Sequence, residues 1–598
     1  MLTQSLSSRE LFKSENFVPR ALDEESELHH TNSRLSLRLT RNTTHLSEIS
    51  RIILGIRDDR GLDAEQYASY QGNMEPEANL VRQLNSAPDG IIEDENKELP
   101  KDGDGKNSVE SETDHPLDGP FAFWQAFLVM LMVFLTWGTN AAFGIFLNYY
   151  LTSNSFPGAS KYDFALMGGM VVFLAQFLAP FSTLSVRVFG QTPVHLVGIC
   201  IQTLGYMLAA ECTQLWQIFI CQGVLVGISF SLIFIPGTLV IPTWFDKSKA
   251  LAMGIAVSGA GLGGLVYSLV LNRIIQQTGD HKWALRTAGL MNLVISLFGT
   301  VFLRNRNKQK ISYKTTLKWS FVKSTSRVVF NFKIFDNYPL IITGLWFGVV
   351  LLGYVIILYS FAAVATSVGL SHTQSSNILA VLNALQVVGR PLLGNVGDSF
   401  GRNNTAIAIC IYVGILSTAF WLNATTYVSI MVLAALIGGA VGIGSLMSQS
   451  LAYDVLVFHG IPEKIPAAWG GLNIIVSLFS LPAEVIALKL QTNAGSRSYR
   501  HAQIFTGCCY FFGAFMMLVN REWLIRQTLL VRQKQAREQL AESLLTDEQE
   551  DFDKECFEGR SDLPELEKIL QERVDRYNRL LQNSPVYFFL RMFYPIRV

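Results

Sequence analysis

The sequence predicts an all-α polytopic membrane protein, with twelve transmembrane helices in two six-helix halves and long polar tails at both ends. Three observations predict it. Of 598 residues, 49% are hydrophobic and 16% charged, against about 25% charged in a typical soluble domain. The charges crowd into residues 1–117, a central loop at 304–336 and a tail at 523–598. Between them lie twelve apolar segments, each near the 20 or so residues that cross about 30 Å of hydrocarbon. Six precede the loop and six follow it.

Residues 1–117 are rich in Ser, Asn, Asp and Glu, with an acidic stretch from Glu93 to Asp118. Such a composition cannot bury enough apolar surface to fold alone, which predicts a disordered tail. The run His45 to Gly55, HLSEISRIILG, is its one candidate for a local helix. The chain starts MLTQSLSSRE, without a basic region followed by an apolar one, so no cleaved signal peptide is expected and the first apolar segment would target the membrane.

The first half, 118–303, holds predicted spans at 121–149, 165–186, 193–210, 215–241, 250–274 and 283–302. The second half, 337–522, holds spans at 338–363, 375–396, 405–422, 427–452, 466–488 and 502–522. The loop between them carries nine Lys or Arg and no acid from Arg304 to Lys333. The positive-inside rule places that loop in the cytoplasm, and six helices on either side then place both termini there too. Arg521, Arg526, Arg532 and Lys534 after the last span agree. The same basic loop is open to a second reading, a hold on anionic lipid.

The halves echo each other. Arg187-Val-Phe-Gly190-Gln follows the second span and Asp398-Ser-Phe-Gly401-Arg402 follows the eighth. Lys249-Ala-Leu-Ala-Met opens the fifth, and Lys464-Ile-Pro-Ala-Ala opens the eleventh. Repeated halves of six helices are the layout in which two bundles rock around a site between them. In the tail 523–598, Leu566, Ile569, Leu570, Val574, Tyr577, Leu580 and Leu581 recur at helical spacing, predicting an amphipathic helix. The aromatic and basic terminus PVYFFLRMFYPIRV suits either a membrane surface or the protein's own cytoplasmic face.

Composition and motifs also exclude. Net charge is zero and pI about 7.1, so nothing points to nucleic acid. Seven scattered cysteines show neither metal spacing nor a disulfide framework. Without a P-loop, HExxH or GxSxG pattern, an ATPase or hydrolase has no support; the protein is expected not to be an enzyme and to need no cofactor or metal. Gly259-Ala-Gly261-Leu-Gly263-Gly264 matches GxGxxG, but a dinucleotide site needs a preceding strand and an exposed helix N-terminus. These glycines lie inside an apolar segment, where small residues let helices approach closely.

The candidate site residues are the few polar groups in apolar surroundings. Arg390, within NALQVVGRPLLGNVGDSFGR, is the leading substrate contact, since an ionised side chain in hydrocarbon usually faces a cavity or a partner. At about 9 Å from a helix end near Val396 it would also be able to snorkel to the interface. Gln386, Asn383 and Asn140 would supply neutral hydrogen bonds to solute. Glu484, after Pro482, is a proton-carrier candidate, because a half-buried carboxylate can titrate near neutrality; a helix-end interfacial glutamate is the competing reading. Asp398, Gly401 and Arg402 form a turn that would hold helices together in one conformation of a cycle.

The run Trp244-Phe-Asp-Lys247-Ser-Lys249-Ala-Leu-Ala-Met-Gly254-Ile-Ala-Val-Ser-Gly259-Ala-Gly261 resembles the signature of the monocarboxylate transporter family of the major facilitator superfamily. Asp118-Gly119-Pro-Phe-Ala-Phe-Trp124 resembles its second signature in weakened form. The resemblance covers about residues 118–522, and the tails suit the fungal branch. It implies the major facilitator fold and a gating or structural role for Asp118, Lys247 and Lys249. It also makes Arg390 the counterpart of the arginine that binds substrate carboxylate in animal members. Those members carry an aspartate one turn earlier, here Gln386, and a lysine in the first helix, here near Asn140 and Ala141. Lactate–proton symport is therefore not implied. The expected function is secondary active transport of a small organic solute, a carboxylate or other organic anion first, with protons as a possible second partner. The alternatives are a facilitator or symporter for a vitamin such as riboflavin, and a membrane solute sensor signalling through its tails. The expected location is the plasma membrane, with the vacuolar membrane as competitor.

Overall fold

The computed structural model describes residues 115–153, 156–306, 313–492, 498–553 and 563–594. The predicted helix at His45 to Gly55 lies outside the described residues. Among those, the protein is all helix, with eleven helices long and apolar enough to cross a membrane and a twelfth span built from a bent pair. In chain order the spans are α1 Pro120–Leu147, α2 Lys161–Phe177 plus Ala179–Phe189, α3 Gln191–Ala209, α4 Leu215–Trp244, α5 Lys249–Thr278 and α6 His281–Phe302. The second set is α7 Tyr338–Ser367, α8 His372–Phe400, α9 Arg402–Phe420, α10 Tyr427–Phe458, α11 Ile465–Lys489 and α12 Arg500–Ala541. Large apolar side chains such as Leu269, Val301 and Leu392 point outward from these helices, as spans facing lipid require.

Several spans are broken, each for a local reason. In α1 the hydroxyls of Thr136 and Thr139 donate back to Met132 O and Leu135 O, both at 2.8 Å, and such back-bonding bends a helix. α2 bends by 47° at Leu178. α10 loosens at Gly439 to Gly442, and α11 at Leu481 to Pro482, where the proline lacks the amide that would continue the ladder.

Two crossings join the halves, α5 with α8 and α2 with α11. Glycine makes the first possible. A Cβ at Gly254 would lie 2.6 Å from the Arg390 carbonyl oxygen, and one at Gly261 would lie 2.6 Å from that of Asn383. At the second crossing a Cβ at Gly169 would lie 2.5 Å from the Leu481 carbonyl oxygen. Small residues thus bring the two backbones into contact. The GxGxxG glycines are part of this packing, buried in mid-helix against α1 and α8.

Two expectations change. α8 continues through Asp398 to Phe400, and Gly401, with φ of 97°, is the sole break before α9. Asp398 therefore sits in a last helical turn, not in a free turn. The longer helix puts Arg390 ten residues from its end, about 15 Å at about 1.5 Å per residue, with its side chain buried against α5, α7 and α10. Finally, α12 does not stop at 522: the helix runs unbroken from Arg500 to Asp553. The central loop includes the helix Trp319–Val329.

Two more helices follow, α13 Leu563–Leu580 and α14 Pro585–Phe593. α13 buries Leu570, Val574, Tyr577 and Leu580 along one side and packs on the extension of α12. α14 is pinned at the base of that extension. Arg591 Nε donates to Glu522 Oε1 at 2.6 Å, with both side chains buried. Arg521 donates to the carbonyls of Met592 and of Tyr594, the latter at 2.7 Å. Removing one partner of such a pair leaves a buried charge, at a cost of about 3–5 kcal/mol. Arg591→Ala is therefore expected to free the C-terminal segment, seen as new protease cleavage between α12 and α14 and a lower melting temperature. Unchanged digestion would show that the pair does not hold α14.

Candidate functional site

On α8 the residues Asn383, Gln386 and Arg390 are spaced i, i+3 and i+7, which puts them on one side of the helix. That side meets α5 and α7. The helix starts cleanly because the Ser371 side chain accepts from Gln374 N in a capping box. Arg390 is 3% exposed. Its Nη2 donates to Gln386 Oε1 at 2.6 Å and to the Tyr354 hydroxyl at 3.4 Å, and its Nη1 donates to the Val257 carbonyl of α5. The guanidinium lies 5.9 Å from the Tyr354 ring centroid. Among the described residues no carboxylate pairs with it, and its Nε has no partner.

The neighbours complete a set of donors. Gln386 Nε2 donates to Asn383 Oδ1 at 3.2 Å, leaving Asn383 Nδ2 buried without an acceptor. Behind Arg390, the break in α10 supplies Gly442, where a Cβ would lie 2.5 Å from the guanidinium Nε. A cation between two halves, with unused donors beside it, can receive an anionic or strongly polar group.

Asn140 is not in this cluster. It sits on α1 and donates to the Tyr359 hydroxyl of α7 at 3.2 Å, a second contact across the halves. Glu484 is also apart, on α11 at the crossing with α2. It is 4% exposed, covered by the protein. Its Oε2 has no hydrogen-bond partner and lies 3.4 Å from where a Cβ of Gly168 would stand. Its part of α11 also packs on α7, the helix of the Tyr359 that Asn140 contacts.

The remaining candidates gather at the end of the bundle that carries the central loop. Asp398 accepts from the amides of Ala250 and Leu251, at 3.2 and 2.8 Å, at the start of α5. The same carboxylate pairs with Arg402 at 2.9 Å, and Arg402 reaches Asp454 of α10 at 2.6 Å. Gly401 provides the positive φ that lets α8 turn directly into α9. Lys249 bonds Asp246 at 3.0 Å and lies 4.2 Å from the Tyr453 ring centroid of the other half. Asp118, with φ of 55°, accepts from the amides of Asp246, Lys247 and Ser248 at 3.0 to 3.1 Å. The Lys247 side chain itself is exposed. The two signature-like segments, Asp118–Gly119 and Trp244–Lys249, are thus one joint.

The bundle is tied at its opposite end as well. Lys161 Nζ donates to Gln491 Oε1 at 2.8 Å and Lys489 lies 4.8 Å from the Tyr162 ring centroid, both links between α2 and the end of α11.

Comparison with known proteins agrees with this architecture. The family model described as Major Facilitator Superfamily matches residues 125–483, more than half of the chain. The chain belongs to the Major Facilitator Superfamily. It is similar to ESBP6 of Saccharomyces cerevisiae, described as an uncharacterized transporter, at 36% identity over 82% of this chain and 71% of that protein. It is also similar to MCH2 of the same yeast, described as a probable transporter, at 28% identity over 72% of this chain and 88% of that one. The proton:xylose symporter XylE shares the fold, with a TM-score of 0.52 at 13% identity, over 66% of this chain and 95% of that one. The protein is therefore an integral membrane transporter of this superfamily and not an enzyme.

Sequence reasoning missed Tyr354, Tyr359 and Gly442. The two tyrosines stand out as hydroxyls within the apolar α7 and were a readable signal; Gly442 was not, since α10 holds several glycines and only packing distinguishes one. Gly442 has φ of −85°, open to any residue, so alanine there acts only on Arg390. Gly442→Ala is expected to leave the melting temperature within a few degrees while lowering solute uptake by about tenfold or more, roughly 1.4 kcal/mol. Full uptake in this variant would show that the guanidinium position is not critical.

Proposed function

We propose that the protein moves a small organic anion, most simply a carboxylate, by alternating access around Arg390, and that it belongs to the fungal monocarboxylate-transporter-like branch. The observation that carries this reading is a buried guanidinium between the halves, with no carboxylate partner among the described residues and an unused Nε. A carboxylate would supply what burial removed, accepting from the fork of Arg390 and from Asn383 Nδ2. Gln386 and Tyr354 position the fork. The joints at the two ends of the bundle, Asp398 with Arg402 and the start of α5, and Lys161 with Gln491, would open in turn as the halves rock.

The halves in this reading are 118–303 and 337–522, joined by the basic loop 304–336. That loop and the tails 1–117 and 523–598 lie in the cytoplasm by the positive-inside rule, and the plasma membrane is the proposed location. Glu484 is the proposed proton carrier, replacing the aspartate that Gln386 lacks. Its support is a buried carboxyl whose Oε2 is unpartnered, at the crossing of the halves and beside the Tyr359–Asn140 contact.

One observation favours a second reading. Gln386, Asn383 and Tyr354 are all neutral, and Arg390 already donates to a carbonyl and an amide, an arrangement that would also suit a flat neutral solute such as a vitamin.

The test is uptake by purified protein in liposomes, with labelled organic acids and vitamins, with and without an inward proton gradient. Arg390→Gln should cost roughly 2–5 kcal/mol of anion recognition, on the order of 30-fold or more in uptake. Unchanged carboxylate uptake would remove the first reading in favour of the second. Glu484→Gln should abolish stimulation by the gradient while solute exchange at equal pH continues. Stimulation retained in that variant would assign coupling elsewhere.

A further inference from the structure

α14 has two different sides. Arg591, Met592 and Tyr594 are buried against α12. Val586, Phe589 and Phe593, at i, i+3 and i+7, form one stripe that is 61%, 59% and 70% exposed. The adjacent helix α13 shows the opposite pattern: its exposed positions are Gln571, Glu572, Asp575 and Asn578. Two helices docked on the same extension thus present outward faces of opposite character. Water suits the first face and not the second.

The depth of α14 supplies the reason. Its holders, Arg521 and Glu522, lie 21 and 22 residues beyond Arg500, about 31 Å along the helix at about 1.5 Å per residue. That is the thickness of the hydrocarbon core, about 30 Å. The next residue, Trp523, is in ring contact with Tyr338 at the start of α7, Phe458 at the end of α10 and His459. One span therefore begins and another ends at this level, ringed by the aromatic residues that favour the membrane–water boundary. α13 packs farther along the extension, where Arg537 Nη2 donates to Asn578 at 2.9 Å, and so stands clear of the boundary.

We propose that the exposed face of α14 is a lipid contact, lying in the headgroup and acyl boundary of the bilayer the protein spans. The Arg591–Glu522 pair holds the helix at that depth, and Val586, Phe589 and Phe593 enter the boundary. This proposal is independent of the solute that the transporter carries.

The experiment uses full-length protein in phosphatidylcholine vesicles whose lipid carries a photoactivatable diazirine on the acyl chain. After irradiation, adducts are mapped by mass spectrometry. Lipid adducts are expected on the peptide holding 585–593, at a yield comparable with that of the α6 peptide holding Val294 and Val301, and absent from 571–580. Phe589→Asn with Phe593→Asn should lower the 585–593 yield severalfold and leave the α6 yield unchanged. Adducts on α6 but none on 585–593 would overturn the proposal. So would the replacement of lipid adducts there by crosslinks to a second copy of the chain, which would assign the stripe to a dimer.

Discussion

The architecture depends on the close approach of α5 and α8. Where the Arg390 and Asn383 carbonyls face Gly254 and Gly261, there is no room for a side chain. The contact makes the two halves meet along backbone surface, with dispersion and short contacts in place of a hydrophobic driving force that lipid does not provide. It also fixes the rotation of α8. With its small-residue side turned to α5, the helix presents Arg390, Gln386 and Asn383 to the space shared by α5, α7 and α10. The position of the buried cation follows from the packing of glycines on a different helix.

Charge is used differently at the two depths. Inside the bundle Arg390 donates to neutral acceptors, the Val257 carbonyl and Gln386, and among the described residues no carboxylate pairs with it. At the bundle end the charges compensate one another through Asp398, Arg402 and Asp454, and two carboxylates, Asp118 and Asp398, sit at backbone amides before and within the first turn of α5. Negative charge at a helix N-terminus meets unsatisfied amides and the positive end of the dipole. A cation without a carboxylate partner inside, a compensated cluster at one end and lysine contacts with Gln491 and Tyr162 at the other suit the proposed solute site flanked by separable joints.

The C-terminal region extends this logic. α12 continues far beyond the hydrocarbon, α13 packs along its extension, and α14 returns to its base through Arg591 and Glu522. Arg521, which holds the α14 carbonyls, also donates to Asn404 Oδ1 at 2.6 Å, two residues from Arg402. The tail and the joint at the end of α8 therefore share a neighbour.

The sequence by itself determined the spans, their number and the all-helical class, because apolar length and the exclusion of unpaired backbone from hydrocarbon leave few alternatives. It also determined that Arg390 and Glu484 would be unusual, since an ionisable residue in an apolar tract is conspicuous without any coordinates. The tertiary structure alone decided what surrounds them. Tyr354 and Gly442 reach Arg390 from α7 and α10, which are distant in sequence. Asn140 pairs with Tyr359 and not with the arginine, Glu484 is buried by α2, and Asp398 closes a helix whose end the composition of its last turn did not mark. Spans are set by local transfer of residues into hydrocarbon, which a sequence records directly. A site is set by how helices rotate and cross, and that depends on contacts between segments hundreds of residues apart.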